Sequence, residues 1–133
     1  MLDEDLAPLL LEVAEGRLDR AGLNLKPGCA IAVVLAAEGY PETAKQDVAI
    51  TLADPDATVI HAGTRRGPDG VWRTAGGRVL GLVATAPDLA RARERIETAI
   101  SHVHWPGMQV RHDIGLRALN HAKAGRLVTD PFD

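Results

Sequence analysis

Between Gly28 and Gly39 the chain runs through nine apolar residues, "CAIAVVLAA" at 29–37. The run is far too short to cross a bilayer as a helix, is rich in β-branched side chains, and is bounded by glycines. It predicts a buried central strand, and a central strand obliges its neighbours to complete a sheet. "VAITL" (48–52), "TVIHAG" (58–63), "VWRT" (71–74) and "RVLGLVAT" (78–85) supply them. The intervening "ADPDA" and "RRGPDG" carry turn chemistry, with proline pre-setting one dihedral and glycine allowing a positive one.

Helical spacing brackets this series. Leu2, Leu6, Leu9, Leu10, Val13 and Ala14 define one apolar stripe, with Asp3, Glu4 and Asp5 expected in the first turn and Gly16 as the stop. "LNLKPG" then reads as a connector. After the strands, Thr85-Ala86-Pro87-Asp88 offers a capping hydroxyl, an early proline and an acid. Leu89, Ala92, Ile96, Ala99, Ile100 and Val103 follow on one face. "WPG" ends that helix, and a short one is expected near 116–123. The order predicts an α+β domain with a small antiparallel or mixed β-sheet and flanking helices. A single domain fits 133 residues. Residues 1–28 would be its leading helix and connector, 1–119 the folded body and 120–133 a loose tail.

Function classes narrow by what the residues lack. A net charge of −3 and 3% aromatic residues argue against a dedicated nucleic-acid binder. The acidic start "MLDEDLAPLL" is unlike a secretory signal, so a cytoplasmic location with no membrane contact is expected. A single cysteine, Cys29, rules out an internal disulfide and is expected to be a buried, inert thiol. There is no Walker loop, no dinucleotide fingerprint and no zinc-type spacing. His102 and His104 would share a face only in an extended segment; one at a helix end and one in the following loop is the plainer reading. Glu94 and Glu97, among Arg91, Arg93 and Arg95, read as a solvated face with local ion pairs. No metal site is expected.

One stretch stands apart: "TAGGRVL" (74–80), two glycines and an arginine at a strand's entrance. Glycines let backbone N–H groups converge on an anion, and arginine offers planar donors that match phosphate oxygens. His61, Thr64, Arg65 and Arg66 would lie close if a hairpin forms. A plain β-turn with a solvated arginine is the alternative reading of the same residues.

"VVLAAEGYP" (33–41), "VIHAGT" (59–64), "TAGGRVLGL" (74–82) and "MQVRHDIGLRAL" (108–119) occur in that order. Together they resemble the C-terminal domain of phosphoribosylamine–glycine ligase, also called glycinamide ribonucleotide synthetase, over most of the chain. The departures are the missing glycine after Tyr40-Pro41 in "ETAKQDVAI", Val110 where a tyrosine is frequent, and Trp105 where phenylalanine is usual. The resemblance implies a barrel-sandwich-like domain of an ATP-grasp ligase of purine biosynthesis. That enzyme activates glycine with ATP and magnesium as an acyl phosphate, which the amine of 5-phosphoribosylamine attacks. The ATP-grasp machinery is outside these residues, so this chain is expected to be non-catalytic alone and to need an ATP-grasp portion, in the same or a separate chain. A split subunit, a solitary relative and a truncated product are all compatible with that. By analogy with related ATP-grasp enzymes, Gly76, Gly77 and Arg78 become candidates for holding the 5′-phosphate of phosphoribosylamine or glycinamide ribonucleotide. His61 and Thr64 are further substrate-binding candidates. Arg111 and Asp113 read as an ion pair that ties down the last segment. A non-enzymatic interaction module that keeps the fold is the alternative.

Overall fold

The computed structural model describes residues 1–20 and 22–123. Its spine is β1 (Cys29–Ala36) paired antiparallel with β6 (Arg78–Ala86), register Cys29↔Ala86 to Leu35↔Leu80, with a bulge before Ala36↔Arg78. β3 (Thr58–His61) flanks β6, and β8 (Gln109–Val110) flanks β1, which gives a four-stranded sheet ordered β3-β6-β1-β8. Two short ribbons, β2 (Thr51–Leu52) with β7 (Val103–His104) and β4 (Thr64–Arg66) with β5 (Trp72–Thr74), complete it. Every pairing is antiparallel, so the expected α+β class is found, in the antiparallel form.

The nine-residue run is central, as expected, but not buried on both faces. Ile31, Val33 and Leu35 point into the core, whereas Ala32 and Val34 are exposed. Strand side chains alternate, so a strand whose outward residues are also apolar looks like an interior strand in sequence. The covered face packs against α2 (Leu89–Ser101) through Ala92, Ile96, Ala99 and Ile100. The cap of α2 is Asp88, whose Oδ1 accepts the Arg91 N–H at 2.8 Å, and not Thr85, which lies within β6.

The first helix, α1 (Leu6–Ala14), begins later than its stripe suggests. Asp3, Glu4 and Asp5 precede it rather than filling its first turn. Glu4 instead takes Arg20 at 2.7 and 3.1 Å and the Asn24 N–H at 2.7 Å. The Arg20 guanidinium holds its carboxyl below the ordinary glutamate range, with the Asn24 amide next in importance. The 116–123 expectation is met by α3 (Leu116–Lys123). Residues 124–133 of the expected tail lie outside the described residues. Cys29 is half-buried at the mouth of β1 rather than enclosed.

The loop lacking a glycine after Pro41 meets its need for one with Asp47, at φ +62°. Its carboxylate takes Arg65 at 2.7 Å, and its N–H donates to the Thr74 carbonyl at 2.7 Å. Glycine and alanine both lose the ion pair, so they differ only in that glycine relieves the left-handed strain while alanine keeps it. Asp47→Gly is therefore expected to be about 1 kcal/mol more stable than Asp47→Ala in urea unfolding. Equal stabilities would show that the backbone there is not strained.

Candidate functional site

The segment 75–78 links β5 to β6 and is clamped from two sides. The Ala37 N–H donates to the Gly77 carbonyl at 2.9 Å. From the other side the Gly63 N–H donates to the Arg78 carbonyl and the Ala75 N–H to the Gly63 carbonyl, both at 2.8 Å. The β3–β4 turn thus lies directly against the glycine pair, as the hairpin expectation requires. These bonds engage carbonyls and leave donors over. Neither the Gly76 nor the Gly77 N–H has an acceptor among the described residues.

The glycines also have a packing reason. A Cβ on Gly77 would overlap Cδ2 and Cε2 of the Tyr40 ring, and one on Gly63 would stand 2.7 Å from the Arg78 carbonyl oxygen and 2.9 Å from Gly76 Cα. The Tyr40 contact joins segments 37 positions apart in the chain, and no sequence signal marks it.

Thr74 anchors the other end of the segment, a role that its sequence context does not announce. It is the one buried polar residue among the described residues. Its Oγ1 donates to the Lys45 carbonyl and accepts the Val48 N–H, each at 3.1 Å. A buried hydroxyl satisfied both ways fixes a loop without an unpaired polar group.

Around this frame the cations divide. Arg65 pairs with Asp47, and Arg73 with Asp69 at 2.9 and 2.6 Å. Arg73 pulls the Asp69 carboxyl well below the carboxylate range, helped by the Val71 N–H, and is itself raised by Asp69. Arg66 bonds the Gly70 carbonyl at 3.2 Å and lies 5.8 Å from the centre of the Trp72 ring. Arg78 is exposed and has no carboxylate within 4.0 Å among the described residues. With Tyr40, Gly77, Val34, Ile60 and Gly81 it lines a hollow of about 650 Å³ on the uncovered sheet face. Gly77 and Arg78 therefore sit at the edge of an apolar floor, in a segment whose Gly76 and Gly77 N–H groups are uncommitted among the described residues.

His61 and Thr64 are occupied with each other. His61 Nδ1 lies 2.9 Å from Thr64 Oγ1, and the imidazole packs on Trp72 with ring centres 4.2 Å apart. They border the glycine segment rather than line the hollow. Arg111 and Asp113 do pair, at 3.0 and 2.5 Å, but both are exposed and two residues apart. That pair cannot fasten the last segment to anything. Arg93 does so, donating from α2 to the carbonyls of His112 at 3.0 Å and Ile114 at 2.5 Å. Glu97 of the same helix takes His112 Nδ1 at 2.7 Å. His102 ends α2 with its Nδ1 3.1 Å from the Ala53 carbonyl oxygen, and His104 is on β7.

Among the described residues no three His, Cys, Asp or Glu side chains come together as a metal-binding set, and no helix is long and apolar enough to cross a membrane. The arrangement at 75–78 can hold an anion, but it offers no nucleophile with a base beside it.

Comparison with known proteins gives consistent results. The family model for the phosphoribosylglycinamide synthetase C domain matches residues 30–117. The chloroplastic phosphoribosylamine–glycine ligase of Arabidopsis thaliana is 40% identical over 124 aligned positions, in an alignment that covers 89% of this chain and 23% of that protein. The Brucella melitensis phosphoribosylamine–glycine ligase is 40% identical over 130 residues, 94% of this chain and 30% of that protein. The crystal structure of the Thermotoga maritima phosphoribosylamine–glycine ligase superposes with a TM-score of 0.68 at 33% identity, covering 79% of this chain and 26% of that one. Kluyveromyces lactis urea carboxylase, with a TM-score of 0.53 at 18% identity, shares the fold alone. The chain thus spans between 23% and 30% of the length of these two curated ligases.

Proposed function

Because the chain belongs to the phosphoribosylglycinamide synthetase C-domain family, we propose that it forms the phosphoribosyl-substrate-facing part of a phosphoribosylamine–glycine ligase. The reaction joins glycine to 5-phosphoribosylamine at the expense of ATP, giving glycinamide ribonucleotide, ADP and phosphate. ATP and magnesium belong to the ATP-grasp portion, in the same or a separate polypeptide. No step of the phosphoryl chemistry is assigned to a residue of this chain.

The observation that carries the reading is Arg78, a guanidinium without a carboxylate partner among the described residues, beside two uncommitted N–H groups. Arginine binds a phosphate through two parallel charge-assisted hydrogen bonds, and backbone N–H groups add donors with no side-chain entropy to lose. In this reading Gly76, Gly77 and Arg78 hold the 5′-phosphate. His61 and Thr64 act one step back: their mutual bond and the stacking on Trp72 fix the turn against which the glycine segment rests.

Arg78→Ala is expected to weaken glycinamide ribonucleotide binding by about 1.5–3 kcal/mol, the range for a hydrogen bond to a charged group. Titration calorimetry on the chain assembled with an ATP-grasp portion measures it, and unchanged affinity would remove Arg78 from the site. Catalytic dependence is read separately. The ATP-grasp portion with ATP, glycine and phosphoribosylamine should release ADP faster once this chain is added. No response to the addition would sink the ligase reading.

A further inference from the structure

Between β1 and β2, no residue of 37–48 belongs to a helix or strand. Loops of this kind are the mobile parts of a fold unless their backbone groups find fixed partners. Here both ends are tied to the same neighbour. At one end the Ala37 N–H donates to the Gly77 carbonyl at 2.9 Å. At the other, the bonds converge on a single residue, Thr74. The Asp47 N–H donates to the Thr74 carbonyl at 2.7 Å, and the Thr74 N–H to the Val48 carbonyl at 2.9 Å. That pair runs backbone to backbone, so any residue but proline could make it. The second pair needs the hydroxyl: Oγ1 accepts the Val48 N–H and donates to the Lys45 carbonyl, each at 3.1 Å. At 1% exposure Thr74 is interior, and what covers the outer surface does not alter its partners.

The loop between these ends is closed on itself. The Tyr40 N–H donates to the Ala37 carbonyl at 3.2 Å, the Thr43 N–H to Gly39 at 2.9 Å and the Lys45 N–H to Glu38 at 2.9 Å. The Tyr40 ring meanwhile fills the space that a side chain on Gly77 would take. Loop and glycine segment thus form one framework, joined at Ala37, at Tyr40 and at Lys45–Val48. Only the last of these joints depends on a hydrogen-bonding side chain, and that side chain is Thr74.

We propose that Thr74 is a positioning residue for the phosphosugar: its buried hydroxyl holds the Tyr40 loop and the Gly76–Gly77–Arg78 segment in one fixed relation. It touches no substrate and acts through those residues. The inference rests on the reading of Gly76, Gly77 and Arg78 as the seat of the 5′-phosphate, and adds what keeps that seat in shape. A site whose groups must first be ordered binds more weakly than one already arranged. Tyr40 and Arg78 line the same hollow, so a displaced loop would move one wall of it relative to its cation. Valine has nearly the shape of threonine without the hydroxyl, and would leave the Val48 N–H and the Lys45 carbonyl facing a methyl group. Buried groups left unpaired are costly, so the base of the loop would open towards water. Serine keeps the hydroxyl and both bonds.

Titration calorimetry with glycinamide ribonucleotide, on the chain assembled with an ATP-grasp portion, tests the role. Thr74→Val should weaken binding by about tenfold or more, whereas Thr74→Ser should stay within about twofold of the parent. Ile96→Val, in the core on α2, separates lost stability from lost position, and its affinity should equal the parent's. Hydrogen exchange followed by NMR reads the loop directly. The Tyr40 and Thr43 amides should exchange about tenfold faster in Thr74→Val, but not in Ile96→Val. Should Thr74→Val unfold, Thr74→Cys takes its place and should bind more weakly than Thr74→Ser, since a thiol is a poor donor and acceptor. A Thr74→Val variant that binds like the parent overturns the proposal and leaves the Arg78 reading standing. So does a Thr74→Ser variant as weak as Thr74→Val, or an equal loss in Ile96→Val. Unchanged Tyr40 and Thr43 exchange overturns it too, because any lost affinity would not pass through the loop. A parent that binds no glycinamide ribonucleotide sinks the substrate reading, and this inference with it.

Discussion

Replacing Trp105 by alanine is expected to cost about 3–5 kcal/mol of folding stability, the range for removing a large buried aromatic side chain. Trp105 is among the largest fully buried side chains, in the same cluster as Leu35, Leu80, Leu82 and Ile96. It follows α2 and the two residues of β7, and its ring belongs to the core that α2 shares with the covered face of the sheet. Its indole Nε1 has no acceptor among the described residues. A buried donor left unpaired costs about 1–3 kcal/mol. Phenylalanine removes that donor along with part of the ring, so the gain offsets much of the lost burial, and Trp105→Phe is expected to fall within about 1 kcal/mol of the parent. Urea unfolding with unchanged m-values measures both. A phenylalanine variant as unstable as the alanine one would show that ring volume, and not the stranded N–H, governs this position.

Trp105 also shows what a sequence does and does not carry. A tryptophan beside "PG" after a helix is legible as the end of that helix, but not as a core residue, because its burial depends on strands far away in the chain. α2 is legible because its period repeats over three turns, whereas its cap is not: Thr85 and Asp88 are both competent caps three residues apart, and only the extent of β6 decides between them. β4 (Thr64–Arg66) runs into "RRGPDG", where two arginines and turn residues mask a strand that exists by pairing with Trp72–Thr74. β7 and β8, two residues each, are too short to leave any period. At the site, the glycine–arginine segment and its neighbourhood to Gly63 and Thr64 can be read from the order of elements. The ring of Tyr40 against Gly77, the doubly bonded Thr74 and the grip of Arg93 on residues 112 and 114 cannot. Each spans between about 20 and 40 positions of chain, a separation over which local propensity says nothing.

The turn that delivers Tyr40 should be the most sensitive part of this site to a single methyl group. Gly39 has φ +78°, and a Cβ there would overlap the carbonyl oxygen of Thr43, whose own N–H donates to the Gly39 carbonyl at 2.9 Å. Two penalties then add for Gly39→Ala: about 1–2 kcal/mol for a left-handed dihedral and about 1–3 kcal/mol for overpacking against backbone that cannot turn aside. The expected loss is about 2–5 kcal/mol. Gly16 isolates the first penalty, since it has φ +66° but nothing within 4 Å of the place a methyl group would take. Gly16→Ala should therefore lose only about 1 kcal/mol. The difference between the two variants, read from urea midpoints at equal m-value, is the steric cost of the Thr43 contact. Because Tyr40 packs on Gly77, the Gly39 variant should also weaken the phosphosugar binding proposed for Arg78 while the Gly16 variant leaves it unchanged. Equal stability losses at Gly16 and Gly39 would mean that the 39–43 turn relaxes freely, and that Tyr40 is held by its ring contacts rather than by its backbone.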